Sequence, residues 1–211
     1  MKISVIMASY LGNYPGSASN REIKFKRAVK SFLNQTYENK ELIIISDGCN
    51  ITNKLFEENF KDLNDVKLIK LNKQNLYSGN MRNVAFDFIS GDIVTYLDSD
   101  DAFGKRHLEI ISKQFDLDKD DWVYYNDYMV LNKEFTKLHI RKVETRWASI
   151  GTSSISHKNP KLLKNGKYLK WSDGYGHDFI FVFKLNSLGL SFKKLEEMPQ
   201  YLVCHYKNGD F

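Results

Sequence analysis

Three carboxylates stand almost side by side in this chain, Asp98, Asp100 and Asp101, with Ser99 between the first two. Like charges that close repel one another, and burying them without a counter-charge is expensive. A hard divalent cation relieves that repulsion because it takes oxygen ligands, and the acid-x-acid spacing lets Asp98 and Asp100 turn toward one centre. The same triplet also reads as a solvated turn with an aspartate capping the next helix. Arg82 offers the complementary chemistry. The periodic segment around it predicts a helix with Arg82 in its first turn, where the helix N-terminus and an arginine fork together suit a phosphate-bearing anion. A plain surface arginine is the alternative.

The elements that would position these residues follow from hydrophobic period. Ile93 to Leu97 is a short apolar run, too short for a helix, and reads as a buried strand that ends at the acids. Strands of the same kind are predicted at residues 3–8, at Leu42 to Ile45 and at Val66 to Leu71. Between them lie helical periodicities: Phe25, Ala28, Val29, Phe32 and Leu33, opened by Ser19 and Glu22 at capping-box spacing; Leu55, Phe56 and Phe60, capped by Thr52; and Met81, Val84, Ala85, Phe88 and Ile89, closed by Gly91. Alternating strands and helices argue for a parallel sheet covered on both faces, with ligands bound beyond the carboxyl ends of its strands. Ser9 and Tyr10, Asp47, the 72–75 segment and Asp98 to Asp101 all fall at those ends and should converge there. No Gly-x-Gly-x-x-Gly follows the first strand and no Walker loop is present, which weighs against dinucleotide and NTPase sites.

The second half is less regular. It predicts a helix over 105–115, one aromatic strand in WVYYNDYMVL, two more strands within 138–157, and a helix in FIFVFKLNSLG closed by Gly189. A last strand pair is expected around Phe192 and Tyr201 to Cys204, leading to His205. The 211 residues, 42% of them hydrophobic and 14% aromatic, suffice for one sizeable core. No run approaches the roughly 18 apolar residues of a membrane span, and Met1-Lys2 leads straight into a strand rather than a signal peptide. Two cysteines, Cys49 and Cys204, fit a reducing compartment, so a cytoplasmic location is expected. The net charge of +5 is compatible with an anionic partner.

Taken together, ISVIMASY, FKRAVKSFLNQTY, ELIIISDG and above all QNLYSGNMRNVAFDFISGDIVTYLDSDD resemble the family-2 glycosyltransferases of the GT-A fold, which use nucleotide-diphosphate sugars. The resemblance covers nearly the whole chain. It implies a Rossmann-like α/β fold: a mostly parallel central sheet flanked by helices, with a smaller antiparallel acceptor-side portion. It also implies a single domain, residues 1–101 forming the nucleotide-sugar half and 102–211 the acceptor half. By that resemblance Ser9, Tyr10 and Asp47 line the base pocket. Asn75 and Arg82 serve the donor, and Asp98 with Ser99 reach the ribose or donor sugar. Asp100, supplemented by His205, holds manganese or magnesium. The Leu11 to Asn20 loop looks longer than the family's connection, and His177-Asp178 stands where the family often has Glu-Asp.

An inverting transfer needs one carboxylate to take the acceptor's proton, and Asp178 is the candidate. An aspartate ahead of FIFVFKL is equally a helix N-cap. Trp171, Tyr175 and His177 are the acceptor-side candidates; the two aromatics also read as ordinary packing. The expected activity is inverting transfer, from a UDP-sugar, to a hydroxyl of a glycan or lipid-linked sugar. Alternatives are transfer to hydroxylated bases of DNA, which predicts salt-sensitive binding, a nucleotidyltransferase, or a nucleotide-binding module without catalysis. The first strand lacks the Gly-rich, Arg- and Lys-bearing loop that a triphosphate would need, and the presence of both Asp100 and Asp178 argues against the last.

Overall fold

The architecture follows from strands whose residues are apolar on both sides. In β1 (Ile3–Ser9) Ile3, Val5 and Met7 face one core layer and Ile6 the other; in β2 (Lys40–Asp47) Leu42 and Ile44 oppose Ile43 and Ile45. Such strands must be covered on both faces. In this computed structural model, which describes residues 1–14, 17–73, 78–206 and 209–210 (side chains through Cys204), helices do so. The helices α1 (Arg21–Leu33) and α2 (Asn50–Asn59) pack Phe25, Val29, Phe32 and Leu55 on one face. After β3 (Val66–Leu71), α3 (Ser78–Ala85) packs Met81 and Ala85 on the other.

The chain continues through β4 (Ile93–Tyr96), β5 (Ala102–Phe103), α4 (His107–Gln114), β6 (Trp122–Tyr124), β7 (Asp127–Val130), β8 (Leu138–Arg141) and β9 (Ile155–Lys158). It then forms α5 (His177–Ser187), β10 (Phe192–Lys194), β11 (Tyr201–Val203), β12 (His205–Tyr206) and β13 (Gly209–Asp210). Seven strands form the central sheet in the order β10-β6-β9-β4-β1-β2-β3. All run parallel except β9, which is antiparallel to both of its neighbours. A smaller sheet, β5-β11-β7-β8, is antiparallel but for the β11–β7 pair. The expected α/β fold, with its mostly parallel sheet and smaller antiparallel portion, is thus present.

Several local expectations are corrected. Helix α1 begins after Asn20, which holds a left-handed φ of 52° without a side-chain cap, so the Ser19–Glu22 capping box does not open it. Cys49, not Thr52, precedes α2; Thr52 is buried in the first turn and meets Ser9. Helix α3 stops at Ala85 in a series of tight turns, and Gly91 serves close approach instead, since a Cβ there would lie 2.7 Å from the Ser4 nitrogen. The WVYYNDYMVL run splits, because Tyr125 turns into the core and the Asn126 Oδ1 accepts the Val143 N–H, sending β6 and β7 to different sheets. The pair expected around Phe192 and Tyr201 to Cys204 likewise parts: β10 pairs with β6, and β11 with β5 and β7.

Candidate active site

Register delivers the strand ends together. Ile6 pairs with Tyr96 and Ser9 with Ser46, so β1, β2 and β4 finish at one edge. Beyond that edge a cleft of about 240 Å³ collects Tyr14, Ser78 and Arg82, the acids Asp98 and Asp100 with Ser99, Thr152, and His177 and Asp178 of α5. The acid loop is pinned from three sides. The Asp98 N–H donates to the Tyr201 hydroxyl at 3.0 Å, and an Arg27 guanidinium N–H donates to the Asp100 carbonyl at 2.6 Å. Asp101 turns inward to accept the Cys204 N–H at 2.7 Å. Burial, and then the charges of Asp100 and Asp98, push the Asp101 carboxyl well above its usual pKa. Asp101 therefore ties the loop to Cys204, the residue after β11, and does not line this cleft.

Arg82 lies in the last turn of α3 rather than its first, and it is 3% exposed, which removes the surface-arginine reading. Its guanidinium donates to Asp98 Oδ1 at 2.8 Å and to Ser78 Oγ at 3.0 Å, and stands 3.0 Å from His177 Nε2. It rests over the Trp171 ring, 4.9 Å from the centroid. That contact explains Trp171. It is buried, stacked on Phe181 at 3.9 Å with its indole N–H toward the Tyr96 hydroxyl. It therefore forms the wall behind Arg82 and presents no free face for an acceptor. Tyr175, in contrast, is 85% exposed and edge-on to Trp147.

His177 Nδ1 donates to the Gly174 carbonyl at 3.0 Å, and its Nε2 stands between Arg82, at 3.0 Å, and Asp178. Asp178 Oδ1 is 3.1 Å from that Nε2, a contact that becomes a hydrogen bond when the ring is doubly protonated. Burial favours the neutral acid at Asp178. The His177 contact and the charges of Arg82, His177 and Arg141 outweigh it, holding the carboxyl below its usual value. Asp178 is thus an ionised carboxylate at neutral pH. It is not the N-cap of α5: Gly176 takes that place with φ 81°. Glycine is also required at Gly79, where a Cβ would meet the Ser172 carbonyl at 2.4 Å; this lets α3 approach the 171–178 segment.

A second chamber, of about 320 Å³, adjoins the first and shares Asp98, Thr152 and Asp178 with it, adding Asp101, Arg141 and Ser153. Thr152 donates to Asp98 Oδ2 at 3.2 Å, so both Asp98 oxygens are engaged. Arg141 is clamped in a two-pronged pair by the fully buried Asp127, which also accepts from Ser153 at 2.7 Å. On the base-pocket side, Ser9 Oγ is bonded to Thr52 Oγ1 at 2.9 Å. Asp47 is buried and paired with the Lys73 ammonium, which also stands 4.2 Å over the Tyr10 ring. Asn75 lies outside the described residues, as does the side chain of His205, the first residue of β12.

Sequence reading missed Thr152, Lys73, Tyr201, Arg27 and the Asp127–Arg141 clamp, because their contacts join residues far apart in the chain and exist only once it is folded. Among the described residues no three His, Cys, Asp or Glu side chains converge as a metal cage. Asp98 is held by Arg82 and Thr152 and Asp101 accepts the Cys204 N–H, while Asp100 lines the cleft beside Asp98. No described helix is long and apolar enough to cross a membrane.

Comparison with known proteins bears on the family and the fold. The chain is 33% identical over 241 aligned positions to an uncharacterized glycosyltransferase of Methanocaldococcus jannaschii, spanning 98% of this chain and 80% of that one. Across curated relatives the share of the relative's length matched falls as low as 14%. Its fold is similar to S. aureus TarS 1–349 in complex with UDP-GlcNAc (TM-score 0.71, 17% identity, 100% of this chain and 60% of that one). It is also similar to the mannosyltransferase PcManGT from Pyrobaculum calidifontis in complex with GDP-Man and Mn2+ (TM-score 0.66, 14% identity, 99% and 58%). This chain therefore spans about three fifths of those structures. The family model for glycosyl transferase family 2 matches residues 17–188, and with a GT-A fold carrying this cleft the chain belongs to that family.

Proposed function

We propose that the chain transfers a sugar from a nucleotide diphosphate, a UDP-sugar, to an acceptor hydroxyl with inversion at the anomeric carbon. The observation that carries this reading is the position of Asp178: ionised, and shared by two adjoining chambers. The first chamber, with Arg82 and the acid loop, takes the donor; the second takes the acceptor. The acceptor oxygen attacks the anomeric carbon, its proton passes to Asp178, and the bond to the diphosphate breaks with its electrons leaving on the phosphate oxygen. Residues 1–101 supply the donor half and 102–211 most of the acceptor half.

Ser9, Tyr10 and Asp47 are proposed to hold the base, Lys73 releasing Asp47 as the base arrives, and Asn75 to assist. Asp98 and Ser99 meet the ribose or sugar. Arg82 orients Asp98 and, through its anchored fork, the donor beside it. Asp100, with His205, would hold a divalent cation, manganese or magnesium, and that ion would supply positive charge to the leaving diphosphate. Tyr175 and His177 flank the acceptor entrance. The acceptor is proposed to be a glycan or lipid-linked sugar, and the two buried free cysteines support a cytoplasmic setting.

The test is turnover of a nucleotide-sugar panel by the parent and by Asp178→Asn, with the anomeric configuration of the product read by NMR. Asp178→Asn should lose roughly 100-fold or more in transfer, the usual scale for a positioned base. A retained configuration, or an active Asp178→Asn enzyme, would overturn the reading.

A further inference from the structure

Outside the cleft the chain carries a lysine at every third position from Lys158 to Lys170: Lys158, Lys161, Lys164, Lys167 and Lys170. Two short 3-10 turns, residues 160–162 and 166–168, lie in this stretch. A 3-10 helix has three residues per turn, so this spacing puts like residues in register. Burial follows the same period. Leu163, Gly166 and Leu169 are buried, and each of the last four lysines is exposed. The two turns are locked together at Gly166, where a Cβ would sit 1.8 Å from the Pro160 carbonyl. Lys158 is paired with Asp121; the other four lysines form no ion pair among the described residues. Lys161, Lys167 and Lys170 converge on a cleft of about 580 Å³ against α3, where Asp87 is the one carboxylate in the lining.

Leu162 and Tyr168 stand among these lysines, 57% and 61% exposed. A surface that reads only charge has no use for an exposed leucine. Lysines interleaved with a leucine and a tyrosine match the boundary of a lipid bilayer, where headgroups meet the ammonium groups and the apolar side chains enter the acyl edge. We propose that residues 161–170 form a docking surface for an anionic membrane. The surface is tied to the catalytic cleft: the Trp171 N–H donates to Asn83 Oδ1 at 2.7 Å and Asn83 Nδ2 returns a bond to the Trp171 carbonyl at 2.9 Å. The chain so docked would hold its cleft at a fixed relation to the bilayer, whatever the acceptor.

The test is flotation of the whole chain with phosphatidylcholine vesicles, plain or doped with phosphatidylglycerol, at low and high salt. Binding is expected to the doped vesicles alone and to weaken with salt. Changing Lys161, Lys164, Lys167 and Lys170 together to glutamine should lower partitioning by more than about 100-fold, at roughly fivefold per lysine. The same four changed to arginine should bind as the parent does. An equal charge change elsewhere, Lys26, Lys30, Lys54 and Lys105 to glutamine, should cost less than about tenfold. Leu162→Ser with Tyr168→Ser keeps the charge and should still lose roughly tenfold. The proposal fails if doped vesicles are not preferred, or if the control set loses as much as the ladder. It also fails if the Leu162 and Tyr168 changes have no effect, because the lysines would then read charge alone, as for nucleic acid.

Discussion

Replacing Glu41 with glutamine should destabilise the whole scaffold, and the size of the loss can be worked out. Glu41 lies at the start of β2, at the end of the sheet opposite the cleft, and its side chain is 2% exposed. It accepts from Ser4 Oγ at 2.6 Å, from the Ser90 N–H at 2.6 Å and Ser90 Oγ at 2.9 Å, and from the Lys2 and Lys67 ammonium groups at 3.1 and 3.3 Å. One carboxylate thus joins β1, β2, β3 and the turn that leads into β4. Burial works against its charge, but these donors prevail and hold its pKa down from 4.5 to about 2. At about 1.4 kcal/mol per pKa unit, that gap makes the ionised form worth about 3 kcal/mol to the fold. Glutamine cannot carry the charge and turns an NH2 toward groups that already donate, so the loss at neutral pH should be of that order. For a chain of this size it corresponds to roughly 6–12 °C in Tm.

The sign of the pH dependence is equally definite. Between 4.5 and about 2 the unfolded chain binds a proton at this site that the folded chain does not, so the contribution is complete above 4.5 and disappears as pH falls through that window. Urea unfolding of parent and Glu41→Gln at neutral pH and at about pH 3 is the assay. The two proteins should differ at neutral pH and converge in acid. A difference under about 0.5 kcal/mol at neutral pH, or one that stays constant on acidification, would refute the reasoning.

Further predictions concern the site. Because His177 and the charges of Arg82 and Arg141 hold Asp178 below the usual carboxylate range, kcat/KM should not fall on this residue's account between about pH 7 and pH 5. An acid limb within that window, absent in Asp178→Asn, would contradict it. Arg82→Lys should impair donor use while leaving the fold intact, since an ammonium cannot serve Asp98, Ser78 and His177 from one planar group. Parent-like turnover would show that only charge matters there. Gly79→Ala should lose about 1–3 kcal/mol in chemical unfolding, because its Cβ would press on the Ser172 carbonyl. Calorimetry with UDP should show binding that weakens when manganese is removed by a chelator and that is lost in Asp100→Ala; equal affinity with and without metal would remove Asp100 from that role.

The sheet and its helices were legible in the sequence because fully buried strands spell themselves out: the Leu42 to Ile45 run cannot be anything but covered on both faces. That Ser9, Asp47 and Asp98 fall at one edge of the sheet was legible for the same reason, since parallel strands end together; Arg82, on α3, was not placed by that rule. What escaped depends on tertiary contact. Thr152 sits in an irregular stretch and acquires its role only when β9 carries it to Asp98. Trp171 resembles a sugar platform until Phe181 covers one face and Arg82 occupies the other. The Asp178 cap was a sound local inference that lost to Gly176, whose positive φ lets the preceding loop fold back beneath Trp147.

In the central sheet, the strand that runs against both of its neighbours, β9, sets the order in which that sheet can be completed. β4 is synthesised early and finds β1 beside it, but its other partner, β9, is translated long afterwards and is also what joins β6 to the sheet. Until Ile155–Lys158 arrive, β4 presents an open edge of Ile93, Val94 and Thr95 directly below the acid loop. An unpaired apolar edge is a template for wrong pairing, and distant partners close slowly. A ribosome-bound chain that stops short of β9 therefore carries its donor-side acids on an unfinished sheet. A chain cut after residue 101 leaves β4 without its β9 partner and should aggregate rather than bind.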